Sequence, residues 1–191
     1  MVGWGDEHSS GGQETRVAIL LDQHPHPAAL NFGGLKTYAK ALYSGLLKHR
    51  MVEYMNMEFL WIGLSLTEDV EEEKGRISST IIRIPRECWD VALNEYLVFI
   101  RFWICNQVKE RVLKELEAFK PDIIIVHDHI FALPAIKFYK QHKVVGVGAV
   151  HDGVNPPLHI SILHSMDSTV YNSNITLKFM DYMVSMLKLN T

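Results

Sequence analysis

Histidine and aspartate residues cluster at three points of this 191-residue chain, and each cluster follows an apolar run. The clusters are His24 with His26, His127 with Asp128 and His129, and His151 with Asp152. Imidazole and carboxylate groups can hydrogen-bond sugar hydroxyls, transfer protons or bind metal ions. Three such clusters, each at the end of an apolar run, indicate a shared polar site more strongly than any one of them does.

A pair of glycines, Gly33 and Gly34, adds a second kind of chemistry. The pair begins an amphipathic pattern in which Leu35, Tyr38 and Leu42 recur at helical spacing. Glycine allows a ligand to approach the backbone closely, and the N–H groups at a helix N-terminus attract anions. The pair is therefore a candidate phosphate-binding turn, although two glycines are equally typical of an ordinary tight turn.

Strand and helix patterns alternate along the chain and must position these groups. Strands are predicted at 16–22, 57–64, 79–84, 123–126, 144–150 and 169–171, and helices at 34–49, 89–119, 131–141, 159–166 and 175–187. The charged segment 68–74 is predicted to be a solvated surface loop. Residues 1–15 are polar and rich in glycine and serine, which predicts a flexible tail before a single domain at 16–191.

This alternation predicts an α/β fold: a three-layer, Rossmann-like parallel sheet with helices on both faces. Ligands of such sheets bind at the carboxyl ends of the strands, where the histidine clusters and the glycine pair fall. Local alternatives remain open for each residue. Asp128 could cap the following helix, His151 and Asp152 could form a turn with Gly153, and His24 and His26 could be exposed loop residues.

Composition narrows the possible functions. The formal net charge is -3, so the chain has no basic surface for nucleic acid, and no apolar run is long enough to cross a bilayer. The start of the chain lacks the pattern of a signal peptide. Cys88 and Cys105 form no metal or redox motif and are predicted to be reduced packing residues of a cytoplasmic protein.

Four segments in order resemble the N-terminal domain of GT-B fold glycosyltransferases, especially the retaining group called family four. The first is the glycine pair with its leucine-bearing helix. The others are Pro121-Asp122 with the isoleucine run that ends at His127-Asp128-His129, the strand ending at His151-Asp152, and the short strand ending at Asn172-Ser173. The resemblance extends from residue 16 to about residue 180. Asn31 stands where glycogen and starch synthases have a lysine, so the chain departs from that narrower group.

The resemblance implies hexosyl transfer from a nucleotide-sugar to a carbohydrate or lipid-linked acceptor, with no metal cofactor. It implies that Gly33 and Gly34 face the donor diphosphate or sugar, and that His127 and His151 lie at the reaction centre. His24, Asp128, His129 and Asp152 are then the candidate residues for binding the acceptor or sugar.

Three interpretations of the whole chain follow. In the first, it is the acceptor-side domain of a glycosyltransferase whose C-terminal donor-binding domain is absent, so that the isolated chain has little activity. In the second, it is a non-catalytic GT-B-like module that pairs with a separate catalytic chain or dimerises, with Met180, Met183 and Met186 as a candidate contact face. In the third, it is a metal-dependent hydrolase that uses the histidine and aspartate clusters.

Overall fold

The computed structural model describes residues 14–30, 33–48, 56–85, 106–127, 131–150 and 165–171. The strands are β1 (Thr15–Leu20), β2 (Met57–Ser65), β3 (Val70–Lys74), β4 (Ile77–Arg83), β5 (Ile123–His127), β6 (Val145–Val150) and β7 (Ser168–Tyr171). The helices are α1 (Gly33–Lys48), α2 (Asn106–Phe119) and α3 (Ala132–Gln141). The predicted helices at 159–166 and 175–187, and the start of the one at 89–119, fall largely or wholly outside these residues, as do Cys88 and Cys105.

The seven strands form one sheet in the order β3-β4-β2-β1-β5-β6-β7. All neighbouring pairs are parallel except β3 and β4. The predicted α/β class and the parallel sheet are therefore confirmed. Within the described residues, no helix is long and apolar enough to cross a membrane.

The prediction that 68–74 is only a surface loop was wrong, because β3 occupies most of it. β3 and β4 form a hairpin in which Lys74 pairs with Ile77, and Gly75 in the turn has a φ of 60°, which glycine adopts without strain. The glutamates of β3 are compatible with a strand because β3 lies at the sheet edge, where its side chains reach water.

Helices cover both faces of the sheet, and the alternation of side chains along β1 shows how. Val17, Ile19 and Leu21 pack with Ala39 and Tyr43 of α1 on one face. The intervening residues Ala18 and Leu20 belong to the cluster on the opposite face, which also contains Val112 and Leu116 of α2 and Ala135 and Phe138 of α3. The three predicted layers are therefore present, with α1 on one side and α2 and α3 on the other.

The strand order creates a switch point between β1 and β5. Chain connections lead from β1 toward β2 on one side, whereas β5 and β6 continue the sheet on the other side. At such a point the loops that leave neighbouring strands diverge and open a crevice at the carboxyl ends of the strands. The ends of β1 and β5 are therefore where the candidate site residues should meet.

Candidate functional site at the ends of β1 and β5

The structure places the predicted site residues that it describes around this switch point. His127 is the last residue of β5, His24 follows β1 by four residues, and α1 begins at Gly33 and Gly34. Asp128, His129, His151 and Asp152 lie outside the described residues, so their roles stay predictions.

His127 packs against the first half of α1. The rings of His127 and Tyr38 have centroids 5.4 Å apart, and His127 is almost fully buried. Gly34 lies four residues before Tyr38, one turn nearer the start of the helix and about 6 Å along its axis. The contact between Tyr38 and His127 therefore places the start of α1 above the carboxyl end of β5. Two features that are 94 residues apart in the sequence come together in this way.

His24 is deeply enclosed on the α1 side of the sheet, with 1% of its surface exposed. Its ring makes edge-on contacts with Tyr43 of α1 and Trp61 of β2, at centroid distances of 4.8 Å and 5.5 Å. The ring also reaches Ser79 of β4, whose Oγ is 3.1 Å from Nε2. The interpretation of His24 as an exposed loop residue was therefore wrong, whereas His26 is partly exposed.

Two hydrogen bonds define the protonation state of His24. The backbone N–H of His26 donates to Nδ1 of His24 at 3.0 Å, so this nitrogen acts as an acceptor and has no proton. Nε2 then holds the proton and donates to the hydroxyl of Ser79. Burial also lowers the pKa of His24 to about 4, because the charged imidazolium would lose its hydration. His24 is therefore a neutral imidazole at pH 7.

Asp22 is a second buried titratable group at the end of β1, and it was not among the predicted site residues. The backbone N–H of Leu64 donates to the carbonyl of Asp22, so the pairing with β2 continues through this position. The chain bends at Asp22, and its side chain is buried. Burial raises its pKa to about 6, and backbone N–H groups at Asp22 and Gln23 partly oppose that rise.

At pH 7 Asp22 is therefore mostly ionised while it is 8% exposed. Keeping a carboxylate ionised in such surroundings costs folding stability. Carboxylates with a pKa raised in this way are found most often at functional sites, and Asp22 is therefore a candidate site residue. The sequence signal that could have found it is an aspartate directly after a fully apolar strand and before the histidine-rich loop.

A groove of about 540 Å³ lies elsewhere, between β3, β4 and α2. Its lining includes Glu71, Glu73 and Glu115, with Ser78 and Thr80 from the first half of β4 and Phe119 from the end of α2. These residues lie toward the amino ends of the parallel strands, away from the switch point. The topology and the buried polar groups favour the ends of β1 and β5 over this groove as the functional site.

Metal binding was one alternative for the histidine clusters. Among the described residues, no three His, Cys, Asp or Glu side chains lie close enough together to hold a metal ion. Both ring nitrogens of His24 already have hydrogen-bond partners. The alternative therefore depends on His129, His151 and Asp152, and it stays a prediction.

Comparison with known proteins gives structural neighbours only. No protein-family model matches the chain, and no curated protein sequence does. An apo structure of OtsA matches 91% of this chain and 44% of its own chain, with 17% identity and a TM-score of 0.61. The E. coli trehalose-6-phosphate protein bound with UDP-2-fluoro glucose matches 91% of this chain and 43% of its own, with 15% identity and a TM-score of 0.59.

Sucrose-phosphate synthase from Thermosynechococcus elongatus is a further neighbour, matching 80% of this chain and 40% of its own, with 11% identity and a TM-score of 0.51. The chain thus spans less than half the length of each of these neighbours. At such low identity the likeness concerns the fold, and it agrees with the fold that the sequence resemblance implied. The chain has the fold that these GT-B glycosyltransferases adopt in the part of their structures that it matches.

Proposed function

We propose that this chain forms the acceptor-side half of a glycosyltransferase that moves a sugar from a nucleotide-sugar to a hydroxyl acceptor. The observation that supports this most is the packing of Tyr38 on His127, which brings the start of α1 to the end of β5. In this proposal the two meet in one crevice, with the helix N-terminus as the site for an anion and the imidazole as the partner of hydroxyl groups. The likeness to trehalose-phosphate and sucrose-phosphate synthases supports the same class of reaction.

In this proposal the start of α1 stabilises negative charge on the departing nucleoside diphosphate. The backbone N–H groups of the first helical turn have no partner within the helix, and the aligned peptide dipoles add partial positive charge. Charge grows on the diphosphate as its bond to the sugar breaks, so these groups bind the transition state more tightly than the substrate.

The side chains of the crevice orient the sugar and the acceptor. His127, placed beneath α1, hydrogen-bonds a sugar hydroxyl or the leaving group, and His151 has the corresponding role at the end of β6. Asp22, which follows β1, accepts hydrogen bonds from acceptor hydroxyls, and the low polarity of its surroundings strengthens such bonds. Transfer with retention belongs to the proposal as well, since trehalose-6-phosphate synthase has been studied as an enzyme of that kind.

The remaining half of the active site is proposed to come from a second α/β domain, either in the same protein or in a partner chain. This part of the proposal is supported by the length of the structural neighbours, since the chain matches 44% of the OtsA chain. A cleft between two domains would bury the nucleotide-sugar, and this chain alone would provide only one wall. The chain by itself should therefore bind UDP-glucose weakly and transfer sugar slowly or not at all.

A pair of matched variants tests the proposal. Gly34→Asp adds a carboxylate at the start of α1, where it stabilises the helix through the dipole but repels a diphosphate. Gly45→Asp adds the same charge to the exposed last turn of that helix, far from its start, where a new Cβ meets no other atom within 4 Å. UDP-glucose binding is measured by titration with NMR detection at low ionic strength.

The proposal predicts that Gly34→Asp weakens UDP-glucose binding about tenfold or more, while Gly45→Asp changes it less than twofold. The same titration with a second α/β domain added should give tighter binding and sugar transfer. Equal effects of the two variants would contradict the role of the helix start. Stoichiometric bound zinc together with hydrolytic activity would favour the metal-dependent hydrolase. If the chain forms a tight complex with a separate catalytic chain but does not itself bind UDP-glucose, the non-catalytic module is favoured.

A further inference from the structure

We infer that His24 is a positioning residue that fixes the loop between β1 and α1, and so sets where the start of α1 stands over the crevice. The hydrogen bonds and packing by which His24 holds this loop are called the clamp. The effect of the clamp on ligand binding rests on the proposed function, but the clamp itself can be measured without any ligand. It replaces direct sugar contact by His24, because both ring nitrogens already have hydrogen-bond partners within the protein and the residue is 1% exposed.

The enclosure of His24 holds one end of the loop against the sheet. Gly63 of β2 leaves room for it, since a Cβ at that position would be 3.3 Å from the Cβ of His24. The imidazole therefore lies across β2 and reaches Ser79 of β4, with Tyr43 and Trp61 as walls. Trp61 adds a direct bond to the loop, because its Nε1 donates to the carbonyl of Gln23 at 3.1 Å.

A chain of short hydrogen bonds leads from His24 toward α1. The N–H of His26 donates to Nδ1 of His24, and the N–H of Ala28 donates to Nδ1 of His26 at 3.1 Å. The N–H of Ala29 donates to the carbonyl of His26, and the N–H of Leu30 then donates to the carbonyl of Leu64 at 2.7 Å. The helix begins three residues after Leu30.

This arrangement works only while Nδ1 of His24 is unprotonated. A proton on Nδ1 would remove the acceptor for the His26 N–H and place two donors against each other. The N–H of His26 selects the tautomer, because it can only donate, and Nε2 then holds the proton that it donates to the hydroxyl of Ser79. The two nitrogens thus have different roles, since Nε2 anchors the ring and Nδ1 holds the loop.

Two substitutions separate these roles. In His24→Asn the amide oxygen stands where Nδ1 was and can still accept from the His26 N–H, but the bond to Ser79 is lost. In His24→Gln the longer amide can still reach Ser79, but the acceptor for His26 is lost. His142→Asn is the control, because this exposed histidine bonds Glu117 on α2, outside the β1–α1 loop.

The first readout is amide hydrogen exchange at His26 and Ala28, together with the imidazole nitrogen shifts of His24, all measured without ligand. We expect the nitrogen shifts to report a proton on Nε2 at pH 7. We expect His24→Gln to speed exchange at the His26 amide about tenfold, and His24→Asn and His142→Asn to leave it within twofold. Circular dichroism and thermal melts confirm that all variants are folded.

The second readout is UDP-glucose affinity, which should fall in His24→Gln and remain close to the parent value in His24→Asn. Equal exchange rates at His26 in the two variants, or a proton on Nδ1 of His24, would overturn the clamp. Loss of binding in both variants with unchanged exchange would instead indicate direct ligand contact. If the parent chain binds no UDP-glucose while the exchange pattern holds, the proposed function fails and the clamp stands.

Discussion

Two buried titratable residues that follow β1, His24 and Asp22, differ in how the protein accommodates them. On the α1 side, His24 is neutral at pH 7, its two nitrogens are both hydrogen-bonded, and aromatic rings enclose it. Two residues earlier, Asp22 is buried and yet mostly ionised at pH 7. The first arrangement satisfies a polar group and stabilises the fold, whereas the second maintains a charge at a cost in stability.

This contrast separates a supporting residue from a candidate binding residue more clearly than residue type does. The sequence analysis predicted that histidines would contact the ligand, and it assigned no role to Asp22. Burial with both nitrogens bonded points to a positioning role for His24. In the described part of the chain no cation is among the groups that shift the pKa of Asp22, and a buried carboxylate of this kind points to a functional role.

The largest expected effect comes from removing the aromatic wall on the α1 side. Trp61→Ala deletes a fully buried indole and its bond to the carbonyl of Gln23, so we expect a loss of about 3–5 kcal/mol in the free energy of unfolding. Urea denaturation measures this loss, and Trp61→Phe, which keeps most of the volume, should lose less. A loss below about 1.5 kcal/mol for Trp61→Ala would mean that Trp61 does not hold the loop between β1 and α1 against the sheet.

The second prediction concerns the pH dependence that His24 brings. Its folded-state pKa of about 4 lies below the unfolded value near 6.5, so its contribution is fully present above pH 6.5 and is lost as the pH falls toward 4. The groups that act on His24 are Glu72 and Lys74 of β3 and His26 of the loop, and Tyr43 of α1 packs against its ring. The difference in pKa corresponds to about 3 kcal/mol.

This effect is read as the difference in unfolding free energy between the parent chain and His24→Asn, measured from pH 4 to pH 7. The parent should lose more stability toward pH 4 than the variant does, because asparagine does not titrate. Parallel curves for the two proteins would show that His24 is not held neutral.

Asp22 should show the opposite slope. Its folded-state pKa is raised to about 6, so the carboxyl destabilises the fold increasingly as the pH rises from about 3.8 to 6. Asp22→Asn should therefore gain up to about 3 kcal/mol at pH 7 and almost nothing below pH 4. Under the proposed function the same variant should bind acceptor more weakly, which is the usual trade-off at a functional site.

The two slopes overlap between pH 4 and pH 6 and partly cancel in the parent chain. We therefore expect the unfolding free energy of the parent to change little with pH in this range. It should rise with pH in Asp22→Asn, which retains His24, and fall with pH in His24→Asn, which retains Asp22. A gain for Asp22→Asn that does not depend on pH would show that removal of the charge is not its cause.

The smallest expected effect tests how closely His24 fits over β2. Gly63→Ala places a Cβ 3.3 Å from the Cβ of His24, closer than side chains usually approach, so we expect a loss of about 1–2 kcal/mol. Gly45→Ala is the matched control in open space on α1, where replacing a helical glycine should stabilise by about 0.5–1 kcal/mol. Urea denaturation of both variants measures whether the free energy of unfolding falls or rises. A rise for Gly63→Ala would contradict the close fit of His24 over β2.

Much of the fold could be predicted because it depends on local patterns. The apolar run after Pro121 has the β-branched composition of a buried parallel strand, and it forms β5 in the middle of the sheet. The spacing of Tyr38 and Leu42 predicted α1, and the glycine pair marked its start. The segment at β3 was misjudged because its glutamates indicated a loop, while pairing with β4 at the sheet edge outweighed their low strand propensity.

The sequence by itself determined the succession of strands and helices, the class of fold and the placement of polar groups at the ends of strands. These follow from periodicity and from the chemistry of single residues, which a linear reading preserves. Only the tertiary structure decided what each polar group does, because burial and hydrogen bonding depend on residues far away in the chain. Ser79 hydrogen-bonds His24 and Trp61 packs against its ring, and Tyr38 of α1 contacts His127 of β5. Those contacts exist only after folding has placed β2 and β5 beside β1, and β4 beside β2.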